Sequence, residues 1–133
     1  MVSVFFYGLF MDADELRSSG FHPINEQQAR VEGMALRLGQ RAALALDPTK
    51  SAHGFVMDLS QEELDRLYSD PSVAAYRPEA VTARLTSGNE VAVVCYNLPT
   101  PPKPDERNPA YAAKLRQVGL RLGLPNQYVE SIV

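Results

Sequence analysis

Side chains able to do chemistry are few in this chain, and the most suggestive lie between Tyr68 and Glu79. Tyr68 follows Leu64 at helical spacing, so its phenol shares an apolar helix face and should point inward. With a reference pKa of about 10, a phenol is a poor base at neutral pH. The nearest acids are Asp70, which Pro71 biases toward extended backbone and turn geometry, and Glu79, beside a predicted strand and expected to be solvated. Arg77 has the fork geometry to hold a carboxylate, although an exposed place at a strand start is the plainer expectation.

Elsewhere the inventory excludes more than it offers. His22 and His53 are far apart in sequence, and neither has a carboxylate or thiol at metal-ligand spacing, so no metal site is expected. Cys95 sits in an alternating apolar run and reads as an inert buried thiol. The chain has no Gly-rich phosphate loop, no Gly-x-Ser-x-Gly elbow and no Cys-x-x-Cys pair, so no cofactor is called for. Net charge is −3, with Lys and Arg scattered, which argues against nucleic acid as a partner. No apolar run approaches the ~18 residues of a membrane span, and the apolar Met1–Tyr7 segment lacks the basic flank of a signal peptide. A single cysteine and nothing that points to export make the cytoplasm the expected setting.

The elements that must position these residues follow from pattern. Val2–Tyr7 is β-branched and aromatic, too short for a stable helix, and reads as a buried strand ending at Gly8. Asp12 with Glu15 predicts a capped short helix that stops at Gly20. Gln28–Leu38 alternates imperfectly, as a strand with a bulge at Gly33 would. Ala42–Leu46 and His53–Leu59 read as two strands separated by a turn at Asp47–Ser51. Ser60 and Glu63 form a capping box ahead of the helix that carries Leu64, Leu67 and Tyr68. Tyr76–Leu85 and Glu90–Leu98 flank Ser87-Gly88-Asn89, a hairpin whose second strand should be buried on both faces. Half of the ten prolines fall in Pro99–Pro109, predicting an extended, lid-like segment. Asn108 and Pro109 then start a helix that ends at Gly123, and Pro125 opens a last one to about Ile132. One domain of 133 residues is expected, with no repeat.

This order, anchored on Phe6-Tyr7-Gly8-Leu9-Phe10-Met11, resembles the gamma-glutamylcyclotransferase-like family. Supporting matches are Gly33, His53-Gly54-Phe55-Val56-Met57-Asp58-Leu59-Ser60 leading into Glu62-Glu63-Leu64-Asp65, Tyr76, and Leu122-Gly123-Leu124-Pro125 with Tyr128. The resemblance implies an α+β fold: a small mixed β-barrel with flanking short helices and a cavity near the end of the first strand. It further implies a γ-glutamyl-type ligand whose own α-amine attacks the γ-carbonyl to release 5-oxoproline and an amine. That reaction calls for a base on the α-ammonium and for donors to the oxyanion, which backbone N–H groups of a Gly-containing loop can supply.

Carried over position by position, Tyr7, Gly8, Leu9, Phe10, Met11 and Tyr76 become the substrate-binding candidates, with Leu9 and Phe10 making the loop greasier than is usual. Read as a plain residue, Met11 is a gap filler. The family's glutamate base, three residues after a Leu-Asp pair, falls on Tyr68, and counting back from Tyr76 gives Ser69. Neither is a carboxylate, so the catalytic candidates that the resemblance implies for proton abstraction, a task that requires a positioned base, are Tyr68 and, as displaced bases, Asp70 and Glu79. The expectation is therefore a protein of this fold, monomer or homodimer, with the standard cyclisation impaired or altered. The alternatives are a non-catalytic metabolite-binding or regulatory module, and an interaction protein whose cavity is collapsed around Tyr68.

Overall fold

In the computed structural model, which describes residues 1–133, the five strands close into a barrel. The strands are β1 (Val2–Phe6), β2 (Ile24–Leu38), β3 (Ala42–Leu59), β4 (Arg77–Leu85) and β5 (Glu90–Asn97), arranged in the order β1-β3-β2-β4-β5. All neighbours are antiparallel except β5 and β1, which meet in parallel at Val4 and Val94. Closure hides the edges that an open sheet of this size would expose. The helices α1 (Ala13–Ser18), α2 (Gln61–Leu67), α3 (Pro109–Leu122) and α4 (Asn126–Glu130) flank it.

Inward side chains of the strands meet the apolar faces of the helices in one core. Val4, Phe5, Met57, Leu59, Leu64, Ala83, Cys95 and Leu115 are each at most 1% exposed. At ~25 cal/mol per Å² of apolar surface removed from water, each large member of this set stabilises the fold by about 1.5–3 kcal/mol. Gly54 decides how closely β1 can approach: a Cβ there would lie 2.0 Å from the Phe6 carbonyl oxygen. Only glycine lets the Phe6-Tyr7 backbone lie on β3, so this residue sets the exit of β1 into the loop that follows.

Local chemistry explains the helix ends. Ser60 and Glu63 form the reciprocal capping box of α2. The Asp12 side chain accepts the Glu15 N–H, but the reverse bond from Glu15 is not made, so α1 has a simple cap. Asn108 caps α3 by accepting the Tyr111 N–H, Pro109 takes the first helical position, and Gly123 ends the helix with φ 84°.

Four expectations require correction. The two strands foreseen at Ala42–Leu46 and His53–Leu59 are one strand, β3, and the turn residues between them form a bulge inside it. β2 steps from Glu32 to Met34 while its partner steps from Ser51 to Leu46, so Asp47–Lys50 loop out opposite Gly33 at φ 82°. Pairing on both flanks overrides the turn, and Asp47 accepts the Thr49 N–H and hydroxyl to support the bulge. The last strand is buried on one face only: Val93, Cys95 and Asn97 point in, while Val94 and Tyr96 are half-buried. α4 ends at Glu130, short of Ile132. The proline-rich segment is irregular, as foreseen, but it does not cover the pocket near Tyr7. It packs on the β2–β3 connection through Arg37 to the Pro102 carbonyl and Asn108 to the Gly39 carbonyl, and lines a separate polar groove with Tyr128 and Ile132.

Candidate functional site

Tyr7 leaves β1 beside Gly54 and is buried, and its hydroxyl donates to the Tyr96 carbonyl at 3.0 Å and to Asn97 Oδ1 at 3.3 Å. Asn97 is itself buried and occupied on every side. Its Oδ1 accepts the Leu44 N–H at 2.9 Å and the Leu98 N–H at 3.0 Å, and its amide donates to the Leu44 carbonyl at 2.9 Å and to Glu79 Oε1 at 3.2 Å. This hub ties β3, β5 and the end of β1 together beneath the pocket. No sequence motif announced it, since an isolated Asn at a strand end carries no pattern.

After Gly8 the chain makes one 3₁₀ turn, Leu9–Met11, closed by the Met11 N–H on the Gly8 carbonyl. The turn aims Leu9 and Phe10 outward over the barrel mouth and sends Met11 into the core, where it is 1% exposed. A cavity of about 410 Å³ opens there, lined by Phe5 to Phe10, Gln40, Arg41, Ala42, Tyr68, Ser72, Val73, Tyr76, Tyr96 and Tyr111. This volume suits a small metabolite. Five of the six tyrosines of the chain face it.

The tyrosines form a continuous wall. Tyr68, at the C-terminal cap of α2, stacks on Tyr96 with ring centroids 4.1 Å apart and planes 9° from parallel. Phe10 meets Tyr68 edge-on at 5.9 Å, and Tyr76 lies 6.0 Å away on the other side. The Tyr76 hydroxyl donates to the Ala42 carbonyl, fixing the rim to the start of β3. Tyr111 reaches in from α3, and its hydroxyl lies 3.0 Å from where a Cβ on Gly8 would be.

Burial governs the acid–base character of this wall. Desolvation pushes the phenols of Tyr7, Tyr68 and Tyr76 well above the ordinary tyrosine range, and the neighbouring phenols and Cys95 add to the rise. Burial also raises Tyr111, opposed by the Leu9 N–H. The Cys95 thiol is pushed up to about 12, by burial first and by Glu79 second, so it stays protonated and unreactive. A neutral Tyr68 is a hydrogen-bond donor and a ring surface, and not a base at neutral pH.

Of the residues singled out from sequence, Tyr7, Gly8, Leu9, Phe10, Tyr68 and Tyr76 converge on this cavity, and Met11, Asp70 and Glu79 do not. Met11 fills the core, as its plainer reading had it. Asp70 is exposed and uses its carboxylate to accept the Ser72 N–H at 2.9 Å and hydroxyl at 2.7 Å, which holds it below the usual carboxylate range. That is the turn role its Asp-Pro context favours, and the residue lines the neighbouring cavity with Leu9, Phe10 and Ser72, not the tyrosine pocket. Glu79 is exposed on β4 and its contact is the Asn97 amide behind the wall. Arg77 is exposed and donates to the Ala74 and Tyr76 carbonyls, outside the cavity. No carboxylate lines the pocket. No group of three or more His, Cys, Asp or Glu is placed to hold a metal ion, and no helix is long and apolar enough to cross a membrane. Tyr96, Tyr111 and Arg41 are site residues that sequence reasoning missed.

The sequence pattern of a known family, described as gamma-glutamyl cyclotransferase, AIG2-like, matches residues 4–114, most of the chain, from within β1 into α3. The chain belongs to this family. Solved structures agree on the fold. A gamma-glutamyl cyclotransferase superposes with a TM-score of 0.76 at 18% identity, covering 98% of this chain and 85% of the other. An uncharacterised human protein gives a TM-score of 0.76 at 20% identity over the same shares, 98% and 85%. A yeast gamma-glutamyl cyclotransferase specific to glutathione gives 0.72 at 15% identity, covering 98% and 93%. No curated protein matches by sequence. Within the family fold, the cavity of this cyclotransferase relative lies where the first strand ends, and Tyr68 forms part of its wall.

Proposed function

We propose that this chain binds a small γ-glutamyl-type metabolite in the tyrosine pocket and lacks the general-base route to 5-oxoproline. The observation that carries this reading is that Tyr68, the position to which the resemblance assigns the base, lines a cavity in which no carboxylate is present. Cyclisation needs the α-ammonium to lose its proton before the amine can attack the γ-carbonyl. A phenol raised by burial cannot take that proton at neutral pH, and Asp70 and Glu79 are committed elsewhere.

Binding without this chemistry favours the metabolite-binding module over an active cyclase. The open cavity speaks against the reading in which Tyr68 fills a collapsed one. The test is 5-oxoproline release from γ-glutamyl amines and dipeptides, including glutathione. The expected result is no turnover above the uncatalysed rate. Turnover of order 1 s⁻¹ or faster, in the ordinary enzyme range, would overturn the proposal.

A further inference from the structure

The tyrosine pocket offers a great deal of aromatic surface and no acid. Phe10, Tyr68, Tyr76, Tyr96 and Tyr111 all line it, and each is half-buried. Their rings meet at steep angles. Phe10 stands at 83° to Tyr68 with centroids 5.9 Å apart, and Tyr76 is tilted by 43° with centroids 6.0 Å apart. Tyr96 backs Tyr68 on one face, stacked at 4.1 Å. A small cation beside Tyr68 can therefore lie within ~6 Å of several ring centroids at once, the reach over which a ring face attracts it. Polar acceptors are scarce by comparison, because the Tyr96 and Ala42 carbonyls already accept the hydroxyls of Tyr7 and Tyr76.

We infer that the pocket holds the α-ammonium of its ligand, still protonated, against the rings of Tyr68, Tyr76 and Phe10, which stand in for an acid. This deepens the proposed function and rests on it, since a γ-glutamyl compound brings its α-ammonium into a cavity that has no carboxylate. At pH 7 an α-amine of pKa about 8 is mostly ammonium. The negative face of the aromatic quadrupole is what the lining offers to that charge. Arg41 is the one charged residue of the lining, and the α-carboxylate on the same carbon as the ammonium offsets its repulsion. Ring faces attract the cation without taking its proton, so the ligand is held in the form whose nitrogen cannot attack the γ-carbonyl. Tyr68 is then a specificity residue: it selects γ-glutamyl compounds with a free, charged α-nitrogen over N-acylated ones.

Three probes on one skeleton test this: γ-glutamyl methylamide, its Nα-acetyl derivative, which has no charge on nitrogen, and its Nα-trimethyl derivative, which keeps the charge and has no N–H. Isothermal titration calorimetry at pH 7 should show the acetyl derivative binding at least ~10-fold more weakly than the parent, and the trimethyl derivative within ~5-fold of it. Tyr68→Phe keeps the ring and should keep the preference for parent over acetyl derivative. Tyr68→Leu removes the ring and should cut that preference by about 5-fold or more. The comparison of the three probes on the wild-type chain stands whether or not Tyr68→Leu folds.

A smaller loss on acetylation would overturn the inference, as would a trimethyl derivative that falls outside the stated range. So would a preference lost in Tyr68→Phe or left whole in a folded Tyr68→Leu. The two proposals fail separately. Turnover to 5-oxoproline with the cation preference intact overturns only the base-free reading, and a lost preference without turnover overturns only the aromatic ammonium site. No binding of any probe at millimolar concentration overturns both.

Discussion

On the proposed reading, replacing Tyr68 with glutamate restores a base to the pocket wall, and the structure sets both the gain and the loss. The loss is in stability. Tyr68 contributes a stacked contact with Tyr96 at 4.1 Å and edge or tilted contacts with Phe10 and Tyr76 near 6 Å. Aromatic pairs are worth about 0.5–1.5 kcal/mol each beyond their area, so removing the ring should cost roughly 2–4 kcal/mol. The gain is a carboxylate on the pocket wall, surrounded by phenols and with no acid nearby. Desolvation should raise its pKa toward neutrality, the range in which a carboxylate works as a base. A positioned base supplies about 10²–10⁴-fold, so 5-oxoproline release from a γ-glutamyl amine should rise by that factor over wild type. The control is Tyr68→Gln, which loses the same ring and gains no base, and should match the glutamate variant in stability but stay inactive. Equal rates in the two variants would refute the base argument. A folded, ligand-binding Tyr68→Glu with no gain would refute the assignment of the base position to residue 68.

Three further outcomes follow from named contacts. Asn97→Leu should lower stability by about 2–5 kcal/mol, because it leaves the buried Leu44 N–H and carbonyl without partners, and the urea midpoint at unchanged m value measures it. Asp70→Asn and Glu79→Gln, singly and together, should leave ligand affinity in calorimetry within about twofold of wild type, since neither carboxylate reaches the cavity. Stability should also fall toward acid in two stages, followed by urea midpoints against pH. His53, half-buried against Tyr128 with centroids 4.6 Å apart, has its pKa depressed by burial and then by Arg30. Its contribution is complete above the unfolded value near 6.5 and is lost as pH falls from there through the folded value. Glu63, depressed by the Ser60 and His22 N–H groups, holds its share above about 4.5 and loses it as pH falls through its lower folded pKa. His53→Gln should flatten the first stage and leave the second.

Local signals made the barrel legible, and barrel closure made the site illegible. The capping box at Ser60 and Glu63, the Asn108-Pro109 start and the Gly123 stop act within a few residues, so they survive any tertiary context. The Asp47–Ser51 turn did not, because a long antiparallel partner holds both flanks in register and leaves the turn residues only a bulge to form. The pocket depends on contacts of the opposite kind. Tyr96 reaches it from a strand on which the alternation said only that it was buried, Tyr111 from a helix read only from its start and stop signals, and Arg41 from a turn that showed no pattern. The parallel seam between β1 and β5 brings Tyr7 to the Tyr96 carbonyl across 89 positions. Motifs report neighbours in sequence, so they pointed to Tyr68 and not to the wall it belongs to. That wall, with Arg41 beside it, is a product of closure, which brings side chains far apart in the chain to one cavity.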